Sequence, residues 1–247
     1  LPKPMALFAC FLERDMMPLV YRNAHFVTVS PSSLNEMMEF GMVGKSVQII
    51  YNGVDLESFK PAEISPHPTI LYLGRLKAYK SVSVLISAFK TVSELIPEAS
   101  LIIAGSGDEE TELKTLAIRL GLMEKITFTG KISEQDKIKL LQKAWVMVNP
   151  SLMEGWGITT IEANACGTPV IGANVPGLRD SIKNLETGYL VSHGDSEEFA
   201  KKIMEVIKNH KLRTRFSQSS ISWAKNFSWS RASNDFIALL KSKYKTI

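Results

Sequence analysis

From residue 69 onward the chain alternates short apolar, β-branched runs with longer stretches whose apolar positions recur every three or four residues. The runs fall at 69–73, 100–104, 126–129, 145–148, 169–172 and 188–191. Their nearly continuous hydrophobicity predicts strands covered on both faces, as the strands of a parallel sheet are. Between them, 81–95, 109–120, 134–142, 157–165 and 178–183 carry helical spacing. Strands alternating with helices through right-handed crossovers predict an α/β fold, a doubly wound parallel Rossmann-like sheet with flanking helices. The tail predicts three further helices at 196–208, 212–225 and 230–244, with Asp195 capping the first and Ser228 the last.

Ahead of this rhythm lie a short strand at 25–30, a helix at 31–40 opening on Ser30 or Ser32, and a strand at 46–50. Residues 51–68 hold Gly53, Pro61, Pro66 and Pro68, and read as a linker. The chain opens on Leu1 in mid-pattern, without an initiator Met, a basic leader or a small-residue cleavage site. That start is read as a domain boundary rather than a signal peptide.

An apolar fraction of 45% and a charged fraction of 22% are those of an ordinary globular protein. The excess of 29 basic over 25 acidic residues gives +4, too mild and too scattered for nucleic acid. It suits a phosphorylated ligand and leaves peripheral contact with an anionic membrane surface open. No apolar run has the length of a membrane-spanning helix. Two cysteines, Cys10 and Cys166, make no disulfide framework, so the expected setting is cytoplasmic, or peripheral to the inner face of the membrane. Four scattered histidines and the lack of Asp-x-Asp predict no metal site.

Open α/β sheets bind ligands beyond the carboxyl ends of their strands. After the strand at 145–148 comes Glu154-Gly155-Trp156-Gly157-Ile158-Thr159, with Glu162 inside the following helix. Uncovered glycine amides and a helix N-terminus make an anion cradle suited to a diphosphate. Glu154 can reach a ligand at the helix mouth, and Glu162 can accept hydrogen bonds from a diol. The bland alternative is a turn followed by a solvated glutamate. After the strand at 69–73 stands Gly74-Arg75, with Lys80 five residues on; fixed cations there would stabilise a departing phosphate. Gly105 and Gly107 follow the strand at 100–104 as a Gly-x-Gly pair that either lines a ligand or makes a tight turn. The dinucleotide fingerprint fails, because its last glycine position is Glu110.

These motifs resemble the glycosyltransferase group-1 family of retaining GT-B enzymes. Its hallmark, Glu, seven residues, Glu around Glu-Gly-Phe-Gly, is matched by Glu154 to Glu162 with Trp156 in place of Phe. Gly74-Arg75-Leu76 and Lys80 match a second motif, where Ser81 replaces the usual Gly. The resemblance implies that Glu162 binds the donor ribose, Glu154 contacts the transferred sugar, and Arg75 and Lys80 neutralise the diphosphate. Gly105 and Gly107 would line the donor pocket, and the loop carrying Lys131 and Ile132 would read the base through its backbone. It implies a UDP-, GDP- or ADP-sugar as substrate, a hydroxyl acceptor (glycan, lipid-linked sugar or small molecule) and no cofactor. Within that family's layout, 1–50 is the fringe of an acceptor domain, 51–68 the interdomain linker, 69–226 the donor domain and 227–247 a returning helix. The expected activity is retaining hexosyl transfer, lost in the isolated piece. The alternatives are a non-catalytic nucleotide-sugar-binding module, a nucleotide-sugar epimerase of the same architecture, and an NAD-dependent oxidoreductase. Lys77 is the neighbouring cation to which no role falls.

Overall fold

The computed structural model describes residues 3–243. The first of these form α1 (Lys3–Phe11), a π-helical turn at Leu12–Met16 and α2 (Met17–Val20), helices that the sequence pattern does not predict. Next come β1 (His25–Thr28), α3 (Pro31–Glu39) and β2 (Ser46–Ile49), with β1 and β2 paired in parallel. Ser30, not Ser32, caps α3, its Oγ accepting the Ser33 N–H at 3.0 Å.

The main unit runs β3 (Thr69–Leu73), α4 (Val82–Leu95), β4 (Ser100–Ala104), α5 (Glu110–Arg119), β5 (Ile126–Gly130), α6 (Glu134–Lys143) and β6 (Val146–Asn149). It continues through α7 (Ile158–Ala165), β7 (Val170–Ala173), α8 (Leu178–Ser181) and β8 (Gly188–Val191) to α9 (Ser196–Lys208), α10 (His210–Ala224) and α11 (Trp229–Lys243). The six strands pair in the order β5-β4-β3-β6-β7-β8, and every pair is parallel. The apolar runs form strands because both faces are covered: Ile70, Leu71, Leu101, Ile103, Val146, Val170 and Ile171 are fully buried.

The chain moves outward from β3 to β5 and then returns to lay β6 on the other side of β3. The crevice between the carboxyl ends of β3 and β6 is thus the topological switch point, where such sheets hold ligands. Helix ends differ from the sequence pattern where a cap decides them. α10 starts at His210 because Asn209 Oδ1 accepts the Leu212 N–H at 3.0 Å. The last residue of the expected 230–244 helix lies outside the described residues. The expected linker carries core residues, Val54 and Phe59, and Val54 bridges in parallel to Ser228. No helix among the described residues is long and apolar enough to cross a membrane.

Candidate functional site

Three loops at the carboxyl edge are fused by main-chain bonds. Gly74 N donates to Ala104 O (3.0 Å), Leu76 N to Ser106 O (3.0 Å), Glu109 N to Leu76 O (3.1 Å) and Gly105 N to Gly130 O (3.0 Å). A Cβ on Gly105 would overlap the Gly74 carbonyl, and one on Gly107 the Leu76 carbonyl. Both glycines are therefore required by the close approach of two backbones. The floor of the crevice is rigid for the same reason.

Against this floor stand Arg75, Lys80 and Glu154. The Arg75 guanidinium is exposed, and its Nη2 donates to Tyr79 Oη at 2.8 Å. Lys80 closes a short 3-10 turn, Ala78–Lys80, and its Nζ lies 5.1 Å from the centre of the Tyr79 ring. Lys80 Nζ donates to Glu154 Oε1 at 2.5 Å, and both side chains are largely shielded from water. The same carboxylate oxygen accepts from Ser151 Oγ (3.0 Å) and Asn149 Nδ2 (3.3 Å). Lys80 from the loop after β3, Asn149 at the end of β6 and Ser151 just beyond it thus hold the Glu154 carboxylate in place. Ser81 follows with φ 51° and ψ 36°, a left-handed conformation that favours glycine.

Gly157 ends the next loop at φ 73° and opens α7. The first amides of α7, at Ile158 and Thr159, have no carbonyl one turn back within the helix to accept from them. One turn further on, Glu162 is 8% exposed. Its Oε1 accepts from Lys137 Nζ on α6 at 2.8 Å, while its Oε2 is buried with no protein partner. Burial pushes the Glu162 pKa above its ordinary value, and the Lys137 ammonium offsets this only in part. Burial acts to lower the Lys137 pKa, but the carboxylates of Glu134 and Glu162 outweigh it and raise the net value. Lys137 also donates to Glu134 (2.8 Å) and lies 4.9 Å from the centre of the Phe59 ring.

The other expected site residues are placed as follows. Lys131 is exposed and Ile132 half-buried, between Gly130 and the cap of α6, Ser133, whose Oγ accepts the Asp136 N–H at 3.1 Å. The Gly155 carbonyl accepts from Ser30 Oγ (2.8 Å) and Ser33 Oγ (3.3 Å), and Asp180 Oδ2 accepts the Ser32 N–H (2.8 Å). These bonds dock the β1–β2 unit on the site loop. The Trp156 ring points away from the crevice into an aromatic cluster, 4.9 Å from Tyr51 and 5.1 Å from Phe227. Lys77 pairs with Asp108 at 3.0 Å on the surface. Tyr79, Lys137, Asn149 and Ser151 are parts of the arrangement that the motifs did not single out. Asn149 and Ser151 were within reach of sequence reasoning, since they lie at the carboxyl end of β6, on the ligand-binding side of the sheet.

The arrangement can hold an anion against Arg75 and the α7 amides, and hydroxyl groups against the Glu162 carboxylate. Residues 54–223 match the family model described as Glycosyl transferases group 1. The chain is 32% identical over 209 residues to the phosphatidyl-myo-inositol mannosyltransferase of Mycobacterium leprae, covering 82% of this chain and 55% of that protein. It is 30% identical over 207 residues to the D-inositol 3-phosphate glycosyltransferase of Mycobacteroides abscessus, covering 78% of this chain and 45% of that protein. The chain spans about half the length of these curated relatives. Sucrose-phosphate synthase from Thermosynechococcus elongatus superposes with a TM-score of 0.85 at 25% identity, over 93% of this chain and 61% of that one.

Proposed function

The chain belongs to the glycosyl transferases group 1 family, and from that premise we propose that it carries the donor site of a retaining hexosyltransferase. The donor is a nucleoside diphosphate sugar and the acceptor a hydroxyl. The observation that carries this reading is the buried, unpartnered Oε2 of Glu162 at the switch point. A buried carboxylate with one oxygen unpaired lacks part of its hydrogen bonding until a ligand supplies donors, and a ribose diol has two. The diphosphate then lies over the α7 N-terminus, with Arg75 and Lys80 as its cations.

In the reaction the bond between the anomeric carbon and the phosphate oxygen breaks, and the acceptor oxygen bonds the same face of that carbon. The acceptor proton passes to the departing phosphate, leaving a nucleoside diphosphate and a glycoside. Arg75 and Lys80 stabilise the charge that builds on the leaving group, and no metal or cofactor is needed for that role. Glu154, held by Lys80, Ser151 and Asn149, orients sugar hydroxyls. Both relatives are named for inositol derivatives, which makes a cyclitol hydroxyl the first acceptor to test.

The experiment is calorimetric titration with UDP, GDP and ADP in the presence of chelator. One of the three should bind, and Glu162→Ala, Arg75→Ala and Lys80→Ala should each weaken it by about 1.5–3 kcal/mol, the worth of a charge-assisted hydrogen bond. Lys77→Ala should leave it unchanged. Equal affinity in wild type and Glu162→Ala, or binding abolished by chelator, overturns the assignment.

A further inference from the structure

The opposite edge of the sheet, where β6 and β7 begin, carries a cavity of about 300 Å³ lined in part by Trp145, His210, Arg213, Thr214, Ser217 and Gln218. The four residues of β6 separate it from the donor crevice by about 13 Å. Its size falls at the small end of ligand pockets. Its lining includes two basic side chains and no acidic one.

Five of those residues come from one stripe of α10, at spacings of three and four. They present an imidazole, a guanidinium, two hydroxyls and an amide to the cavity; His210, Thr214 and Gln218 are exposed and Ser217 half-buried, so of the five Arg213 alone belongs to the buried face of the helix. Arg213 is only 8% exposed, yet among the described residues no carboxylate pairs with it. Its Nη1 donates to the Val206 (3.1 Å) and Ile207 (2.9 Å) carbonyls, at the C-terminal end of α9. Its Cζ lies 3.9 Å from the centre of the Trp145 ring, and Trp145 Nε1 is tied to Ser65 O at 2.7 Å. These contacts fix the guanidinium plane and occupy one of its three nitrogens. Nε and Nη2, the remaining donors of the fork, make none of those bonds. A buried guanidinium held rigid in this way binds an oxyanion with little loss of side-chain freedom. An adjoining groove that shares His210 is lined by Lys201, Lys208 and Lys211 against one carboxylate, Glu205, so its net field is positive.

We propose that this cavity is a second anion site, distinct from the donor crevice, that takes a small phosphomonoester. The phosphate sits against Arg213 and His210 with the Thr214 and Ser217 hydroxyls as further donors, and the organic part lies toward Trp145.

Inorganic phosphate is the probe, titrated at ionic strength held constant with chloride. The readouts are the His210 imidazole resonance and the melting temperature. Arg75→Ala with Lys80→Ala removes the diphosphate cations, so phosphate bound at the donor crevice is subtracted. In that background phosphate should still shift the His210 resonance saturably and raise the melting temperature. Ser217→Leu fills the cavity without touching the α9 carbonyls. It should melt as wild type in chloride and show phosphate affinity at least tenfold weaker, as should Thr214→Val. No response beyond chloride overturns the proposal. So does a response lost with Arg75 and Lys80, or one unchanged in Ser217→Leu.

Discussion

Glu154 and Glu162 belong to one motif but sit in different electrostatic settings. Glu154 has three donors on a single oxygen; Glu162 has one oxygen on Lys137 and the other buried and open. Burial raises the Glu162 pKa above 4.5, so the folded state binds this proton more tightly than the unfolded chain does. The ionised carboxylate therefore costs stability above that pKa. If it accepts from a ribose diol, its advantage over an amide is full at neutral pH. That advantage fades as pH falls toward the raised pKa, earlier than for an ordinary glutamate. The ratio of nucleoside diphosphate affinities between wild type and Glu162→Gln should shrink as pH drops from about 7.5 to about 5. A flat ratio in calorimetry contradicts the role. Ser81 supplies a second test. Its left-handed backbone costs about 1–2 kcal/mol in a residue with a Cβ, against about 0.5–1 kcal/mol of extra unfolded-state freedom for glycine. Ser81→Gly should thus stabilise the protein slightly in urea, despite loss of the 3.0 Å contact to His193. A lower midpoint would mean that this contact outweighs the strain. At this scale the motif glutamates and cations could be singled out in the sequence because each motif is a short local spacing, one in the loop after β3 and one running from the loop after β6 into α7. Lys137 was not, because it reaches Glu162 across 25 positions and only the packing of α6 on α7 selects it.

The parallel sheet was legible because burial on both faces leaves nearly unbroken apolar runs. Strand ends moved by a residue, as at Val146–Asn149 against the expected 145–148, since the ladder and not the side chains ends a strand. α1 was illegible for the converse reason. Leu7 is 72% exposed and Phe8 62%, so no buried stripe imposes a helical period on its sequence. The Gly-x-Gly of Gly105 and Gly107 was open to two readings, ligand lining or tight turn. The structure adds a contact requirement that neither reading named: the loop from Gly74 to Leu76 lies against both glycines. Gly105→Ala and Gly107→Ala each force two backbones apart and should cost about 3 kcal/mol or more, beyond ordinary overpacking. Gly130→Ala should cost about 1–2 kcal/mol, because at φ 67° it meets no atom within 4 Å and suffers only conformational strain. Denaturation midpoints that rank Gly130→Ala as the worst of the three would refute the fused-floor picture.

Across the whole molecule, three distant stretches meet behind the site loop. The Tyr51, Trp156 and Phe227 rings pack within 5.3 Å of one another, centre to centre, and Trp223 lies 4.8 Å from Phe227. Gly53 lies against the Ser228–Trp229 backbone, where a Cβ would not fit, and Val54 N donates to Phe227 O at 2.8 Å. Trp156 thus ties the loop carrying Glu154 to the residues that enter and leave the sheet domain. A buried aromatic in such a cluster is worth about 3–5 kcal/mol against alanine. Trp156→Ala should lose that much stability and also weaken nucleoside diphosphate binding, because the loop between Gly155 and Gly157 loses its anchor. Trp156→Phe is the informative comparison. Its Nε1 is buried without a partner, and removing such an orphaned donor recovers about 1–3 kcal/mol. The smaller ring gives back a comparable amount in lost packing. The phenylalanine variant should stay within about 1 kcal/mol of wild type and bind nucleotide normally. If it destabilises as much as alanine, the indole nitrogen has a partner, and the ring is not a packing element alone.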